Sequence, residues 1–236
     1  METTTLIEML EQRSRVSGEK IAFTFQGQPT SFQTLWEKLN QFAALLVEQE
    51  IKQQECVVIA LPNGADFFFT FYGVQRAGGI AVPLFPESSA ERIASIAKSC
   101  AAKVIVLPDE SPKKKELEEK GFVLLDSASS LAYLQKHAST FRTFPQVQAN
   151  DIAFLQYTSG STGDPKGVML TYDNLLTNMR QMIAGMQITE QDIFVSWLPV
   201  YHDMGMILMT MIPFYLGVVT HLLPADLRSV RDWFKT

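Results

Sequence analysis

Between residues 56 and 107, three short apolar runs, CVVIAL (56–61), GIAVPL (79–84) and KVIVL (103–107), alternate with two stretches of helical character. No other feature constrains the fold as much. Runs this short have the length of strands buried on both faces. Strands alternating with helical segments build a parallel sheet whose faces the helices cover. Residues 65–76 supply one crossover; the second carries Ile93, Ile96, Ala97 and Cys100 on one face. The S-x-x-E spacing of Ser88 and Glu91 predicts that Ser88 caps this second helix. Upstream, Ser31 is the expected cap of a helix whose apolar stripe runs from Phe32 through Leu35, Trp36, Leu39 and Phe42 to Leu46. The expected fold class is α/β, a mainly parallel sheet flanked by helices.

Beyond this unit, residues 110–119 are strongly charged and read as a solvated helix or loop, and residues 126–150 as an irregular connection. IAFLQY (152–157) reads as a strand, residues 166–170 resume strand character, and Thr171 is placed to cap a helix bearing Leu175, Leu176, Met179, Met182 and Ile183. IFVSWLP (193–199) is strand-like. Residues 204–225, MGMILMTMIPFYLGVVTHLLPA, contain no Asp, Glu, Lys or Arg and have the length of a membrane span. Gly205, Pro213 and Gly217 interrupt them, and Thr210, Thr220 and His221 dilute them. A buried helix followed by a buried strand accounts for the stretch at least as well, so no stable membrane insertion is expected. The 236 residues are 47% hydrophobic and carry a net charge of −5, which fits a folded chain of one large or two small domains and gives no bulk basicity for nucleic acid. The N-terminus lacks the basic and apolar regions of a signal peptide. Cys56 and Cys100 offer neither metal-ligand spacing nor a disulfide framework, which fits a reduced, cytoplasmic setting.

Two segments carry chemistry. YTSGSTGDPKG (157–167) holds four Ser or Thr hydroxyls, three glycines and Lys166. Phosphate oxygens are acceptors, so a phosphate-binding loop needs many donors and a backbone that approaches closely. The hydroxyls and lysine supply donors, and the glycines allow the backbone N–H groups to converge. The segment is not a Walker A loop, because Lys166 follows Pro165 where that motif has glycine. Composition alone leaves a second reading open, a Ser/Gly-rich surface turn between two strands. SWLPVYHDMGM (196–206) sets the polar pair His202 and Asp203 between an apolar strand and an apolar helix. Such a pair lines a pocket, or is a histidine at a helix start with Asp203 as the cap.

Together the two segments resemble the adenylate-forming superfamily of acyl-CoA synthetases, luciferases and nonribosomal adenylation domains. YTSGSTGDPKGVML is similar to that family's phosphate-binding signature. The finer resemblance is to fatty acyl-AMP ligases, in which LQYTSGSTGDPKGV (155–168) is common as it stands; SWLPVYHDMGMI (196–207) departs from their usual form only by Met206 in place of leucine. AGGIAVPLFP (77–86) extends the resemblance toward the N-terminus. It implies that a fatty acid and ATP give fatty acyl-AMP and pyrophosphate, with the acyl group then passing to the phosphopantetheine arm of an acyl carrier protein. It also implies that Thr158, Ser159, Gly160, Ser161, Thr162, Gly163, Lys166 and Gly167 hold the ATP phosphates. Mg²⁺ is expected beside Thr162, and His202, with Lys166, at the reacting carboxylate and phosphate. The Met- and Phe-rich segments are either core or the wall of an acyl tunnel. An acyl-CoA synthetase, or a non-catalytic nucleotide- or carrier-protein-binding module, are the alternatives.

Later family motifs cannot be placed in these residues: an aromatic-Gly-x-Thr-Glu segment, a ribose-holding aspartate, and a small C-terminal lid domain with a catalytic lysine. The resemblance therefore implies that residues 1–236 are a partial N-terminal adenylation domain. Residues 1–125 would form its first βαβ half and 151–236 its phosphate-loop and acyl-pocket segment, with the lid domain absent and little activity expected from the chain alone.

Overall fold

The computed structural model describes residues 3–126, 143–158 and 165–226. The chain begins with α1 (Leu6–Ser17), β1 (Ile21–Phe25), β2 (Gln28–Ser31) and α2 (Phe32–Glu48). An alternating stretch follows: β3 (Cys56–Ile59), α3 (Ala65–Arg76), β4 (Ile80–Pro83), α4 (Ala90–Ser99), β5 (Val104–Leu107), α5 (Lys114–Glu119) and β6 (Val123–Asp126). After it come β7 (Ile152–Thr158), β8 (Lys166–Thr171), α6 (Tyr172–Met186), β9 (Phe194–Ser196), a π-helical segment (Met204–Met211), α7 (Ile212–Leu216) and β10 (Thr220–Leu222). Residues 143–150 carry no regular element; the rest of the connection expected over 126–150 lies outside the described residues, apart from Asp126, which ends β6.

One sheet has the order β6-β5-β3-β4-β7-β8, and every pair in it is parallel except β7 with the edge strand β8. The chain steps one way from β3 to β4 and back past β3 to reach β5. Right-handed crossovers then place α3 and α4 on opposite faces. The side chains agree: Val57 and Ile59 face the core with α3, while Cys56 and Val58 face the core with α4 and Leu117 of α5. This is the sheet the apolar runs predict. The capping residue is a correction. Ser88 donates its amide to Phe85 O at 3.0 Å, closing a turn, so the helix start falls one residue later and Ser89 accepts from Arg92 N at 3.2 Å. The caps at Ser31 and Thr171 stand as expected, the second as a reciprocal capping box with Asn174.

A second sheet, absent from the sequence reading, has the order β2-β1-β10-β9. β1 and β2 form a hairpin across Gln26 and Gly27, both with positive φ (49° and 78°), the backbone of a tight two-residue turn. β10 returns from the far end of the chain to lie parallel between β1 and β9. α3 is wedged between the two sheets. Phe68 meets Phe23 of β1 with ring centroids 4.9 Å apart, and Phe71 meets Phe154 of β7 at 5.5 Å. A helix with apolar partners on all sides has no polar face to show, hence the sequence ADFFFTFYGVQR. Gly73 allows α2 to approach: a Cβ there would stand 2.8 Å from the Phe42 Cβ. The Phe-rich segment and Met206 and Met211 are thus core. The stretch 204–225 is the buried helix and strand foreseen as one of its two readings, and among the described residues no helix is long and apolar enough to cross a membrane.

Candidate functional site

β7 runs from the buried sheet into the Ser/Gly-rich loop, and β8 brings the chain back antiparallel. The register sets Thr158 opposite Lys166, Tyr157 opposite Gly167 and Gln156 opposite Val168. Directly opposed residues of an antiparallel pair share a face, so Thr158 and Lys166 stand side by side where the hairpin opens. Strand alternation puts them on the face of Gln156 and Phe154, the α3 side. Ser159, Gly160, Ser161, Thr162 and Gly163 lie outside the described residues.

Tyr157 braces the hairpin from the opposite face. Its hydroxyl is 2.5 Å from Ser99 Oγ at the end of α4. A Cβ at position 167 would come within 3.0 Å of the Tyr157 ring, so Gly167 serves a close approach as well as a turn. Burial is the main cause that holds the Tyr157 phenol above its usual pKa.

Gln156 joins this hairpin to the second segment. Its Nε2 donates to Tyr201 O at 3.2 Å, the carbonyl preceding His202, while its buried Oε1 has no donor among the described residues. Asp203 caps the π-helical segment by accepting from Met204 N at 2.7 Å, and the same carboxylate oxygen lies 2.7 Å from His202 Nδ1. A carboxylate only accepts, so Nδ1 carries a proton and Nε2 is the nitrogen left to a ligand. The His202 side chain is 66% exposed. The capping reading of this pair stands, and the cap also orients the imidazole. The first turn is tight: a Cβ at Gly205 would stand 2.1 Å from Pro199 O.

Asn63, in the loop after β3, fixes the His202 segment from below. Its Nδ2 donates to Leu198 O at 3.0 Å and to Leu223 O at 3.2 Å, and its Oδ1 accepts from Val200 N at 2.9 Å. Neither Asn63, Gln156 nor Tyr157 is among the expected site residues. The available signals were an Asn-Gly pair that marks only a turn and one polar residue within an apolar strand. β3 and β4 feed helices on opposite faces, so their carboxyl ends form a topological switch point, where open α/β sheets bind ligands. A cleft of about 480 Å³ lies there, lined by Phe25, Pro62, Asn63, Phe85, Pro86 and Tyr201 among others. Phe85 and Tyr201 pack with ring centroids 5.6 Å apart. Burial first, and the Glu87 charge second, raise the Tyr201 pKa and keep it a neutral donor.

The model of the AMP-binding enzyme family matches residues 10–236. The chain belongs to the AMP-binding enzyme family. Its relatives by sequence include a medium-chain-fatty-acid–[acyl-carrier-protein] ligase of Teredinibacter turnerae, 31% identical over 233 residues, with 81% of this chain and 36% of that protein covered. A long-chain-fatty-acid–AMP ligase of Mycobacterium marinum is 30% identical over 219 residues, covering 87% of this chain and 35% of that protein. The crystal structure of a fatty acyl-adenylate ligase from L. pneumophila, in complex with acyl adenylate and pyrophosphate, superposes with a TM-score of 0.86 at 26% identity, over 99% of this chain and 42% of that one. This AMP-binding chain thus spans well under half the length of the relatives it matches, and within that span the fatty acyl-AMP ligase resemblance carried by the two segments stands.

Of the groups such a family implies, the described residues bear on the nucleotide phosphates, through Thr158 and Lys166. A triphosphate suits a hairpin mouth with a lysine and a hydroxyl on one face. Mg²⁺ on a nucleotide takes most of its oxygens from phosphate and water. Thr162, the residue expected beside Mg²⁺, lies outside the described residues.

Proposed function

We propose that this chain carries the triphosphate-handling part of a fatty acyl-AMP ligase. The observation that carries the reading is the juxtaposition made by Gln156, which ties the hairpin bearing Thr158 and Lys166 to the segment bearing His202. In the proposed reaction a fatty-acid carboxylate oxygen attacks the α-phosphorus of ATP. The bond from that phosphorus to the bridging oxygen breaks, and pyrophosphate leaves with both bonding electrons. Such catalysis is mainly positioning and stabilisation of charge. The Lys166 ammonium and the hydroxyls of Thr158, Ser159, Ser161 and Thr162 hold the β- and γ-phosphates, and Gly160, Gly163 and Gly167 let backbone N–H groups approach. His202, oriented by Asp203, presents Nε2 to the carboxylate and α-phosphate. Mg²⁺, when bound beside Thr162, supplies charge neutralisation on the phosphates. The relatives' names support a fatty acid as the acid and an acyl carrier protein as the acceptor.

Calorimetry with ATP and with AMP on this chain tests the reading. A charge-assisted hydrogen bond contributes roughly 1.5–3 kcal/mol, so Lys166→Ala should weaken ATP binding about 10- to 100-fold and change AMP binding little. Equal losses for both nucleotides, or none for either, would remove the lysine from the phosphate site. Formation of acyl-AMP, followed by mass spectrometry with the protein extended to the length of its relatives, tests the reaction itself.

A further inference from the structure

The thiols of Cys56 and Cys100 have no part in the site above, yet the fold brings them together. Cys56 opens β3. Cys100 caps the end of α4, where Ala101 turns the chain with φ 54° into β5. Both line one cleft of about 380 Å³ at the amino ends of the strands, with Lys52, Gln54, Glu55 and Lys103. The two side chains pack in one cluster between the sheet and α4, with the Cys100 thiol donating to Ala97 O at 3.6 Å. Cys56 is buried and Cys100 half-buried, so Cys100 is the more accessible residue of the pair. This is the arrangement of an attacking and a resolving cysteine.

We propose that Cys56 and Cys100 are a redox modification site, closed to an intramolecular disulfide by a hydroperoxide. The Cys100 thiolate attacks one peroxide oxygen, forming a sulfenic acid as the O–O bond breaks and the second oxygen leaves as an alcohol or water. The Cys56 sulfur then attacks the Cys100 sulfur, and the hydroxyl departs as water with the Cys56 proton. Two thiols and one hydroperoxide thus give one disulfide, one alcohol and one water. The surroundings match these roles. The adjacent Cys56 thiol, with the Ala102 amide and the Tyr157 hydroxyl, lowers the Cys100 pKa despite partial burial. The adjacent Cys100 and burial push the Cys56 thiol up.

The test is intact-mass analysis of the whole chain before and after hydrogen peroxide. The expected product has lost two hydrogens, regains them with dithiothreitol, and yields a peptide pair joining Cys56 to Cys100. Cys56→Ser should instead trap a dimedone-reactive sulfenic acid at Cys100, and Cys100→Ser should leave Cys56 reduced. Before oxidation, iodoacetamide should label Cys100 faster than Cys56, because Cys100 is the more accessible and the more acidic of the two. Two separately oxidised thiols without a crosslink, a disulfide only between chains, or equal labelling rates would each overturn the proposal.

Discussion

At the scale of single residues, two side-chain positions hold the His202 segment in place, and each makes a definite prediction. Gly205 has no room for a methyl group: its Cβ would lie 2.1 Å from Pro199 O and 2.8 Å from Pro199 C, both backbone atoms that cannot swing aside. Gly205→Ala should cost about 1–3 kcal/mol, the usual penalty of overpacking, read as a lower urea midpoint; an unchanged midpoint would show that the turn yields freely. Asn63 uses both amide hydrogens and its oxygen on backbone partners. Asn63→Ala strands buried polar groups at about 1–3 kcal/mol each. Asn63→Asp is more informative, because a carboxylate still accepts from Val200 N but sets negative charge against Leu198 O and Leu223 O. Its folded pKa should be raised, so the variant is most stable below the unfolded carboxylate pKa and loses stability as pH rises through the folded one. A pH-independent deficit for this variant would contradict the role assigned to the amide.

At the scale of elements, the π-helical segment and α7 show how a sequence tolerates proline in a buried helix. Pro213 stands in the first turn of α7, directly after a π-helical segment whose last bond runs from Ile212 N to Ile207 O, so its missing N–H falls where the five-residue spacing gives way to the α-helix. Thr220 of β10 donates its Oγ1 to Met209 O in the preceding turn at 2.8 Å. Thr220→Val should therefore cost about 1 kcal/mol, read as a lower urea midpoint, and an unchanged midpoint would sink the account. This pairing marks where legibility ends. Elements whose signal lies within a few residues were readable: the caps at Ser31 and Thr171, the helix over 65–76, and the three apolar strands. The hairpin Thr158–Lys166 was readable as two strands, but its antiparallel register was not. β10 between β1 and β9 depends on partners some 200 residues apart along the chain, such as Thr24 with His221, and no local pattern encodes that. β6 was missed because VLLD is only half buried at the edge of its sheet. Of the site, the motif residues were legible from type and spacing, whereas Asn63 and Gln156 act through backbone groups distant in sequence and become visible only in the fold.

At the scale of the whole molecule, the six-stranded sheet carries perturbed carboxylates at its two ends, and they pull stability in opposite directions with pH. At the amino end, Lys103 Nζ lies 2.9 Å from Glu55 Oε1, and this hydrogen bond is the first cause holding the Glu55 carboxyl below its usual range. A carboxyl depressed in the fold contributes stability above its unfolded pKa and loses it as pH falls through the folded value. At the carboxyl end, Asp109 is raised to about 6, first by a hydrogen bond with Asp126, then by desolvation and the Asp126 charge, with Lys114 opposing. That contribution is complete below the unfolded value near 4 and disappears as pH rises through about 6. Asp109→Asn should match the wild type near pH 4 and exceed it in Tm at pH 7, while Glu55→Gln should fall below it at pH 7 and converge with it in acid. A four-residue strand separates the two ends by roughly 13 Å, beyond the range at which substitutions usually couple. The doubly substituted chain should therefore show the sum of the two pH profiles, measured as Tm from pH 3 to 8 at fixed ionic strength. Departure from that sum would mean that the ends of the sheet communicate, and that its stability cannot be assigned to local pairs.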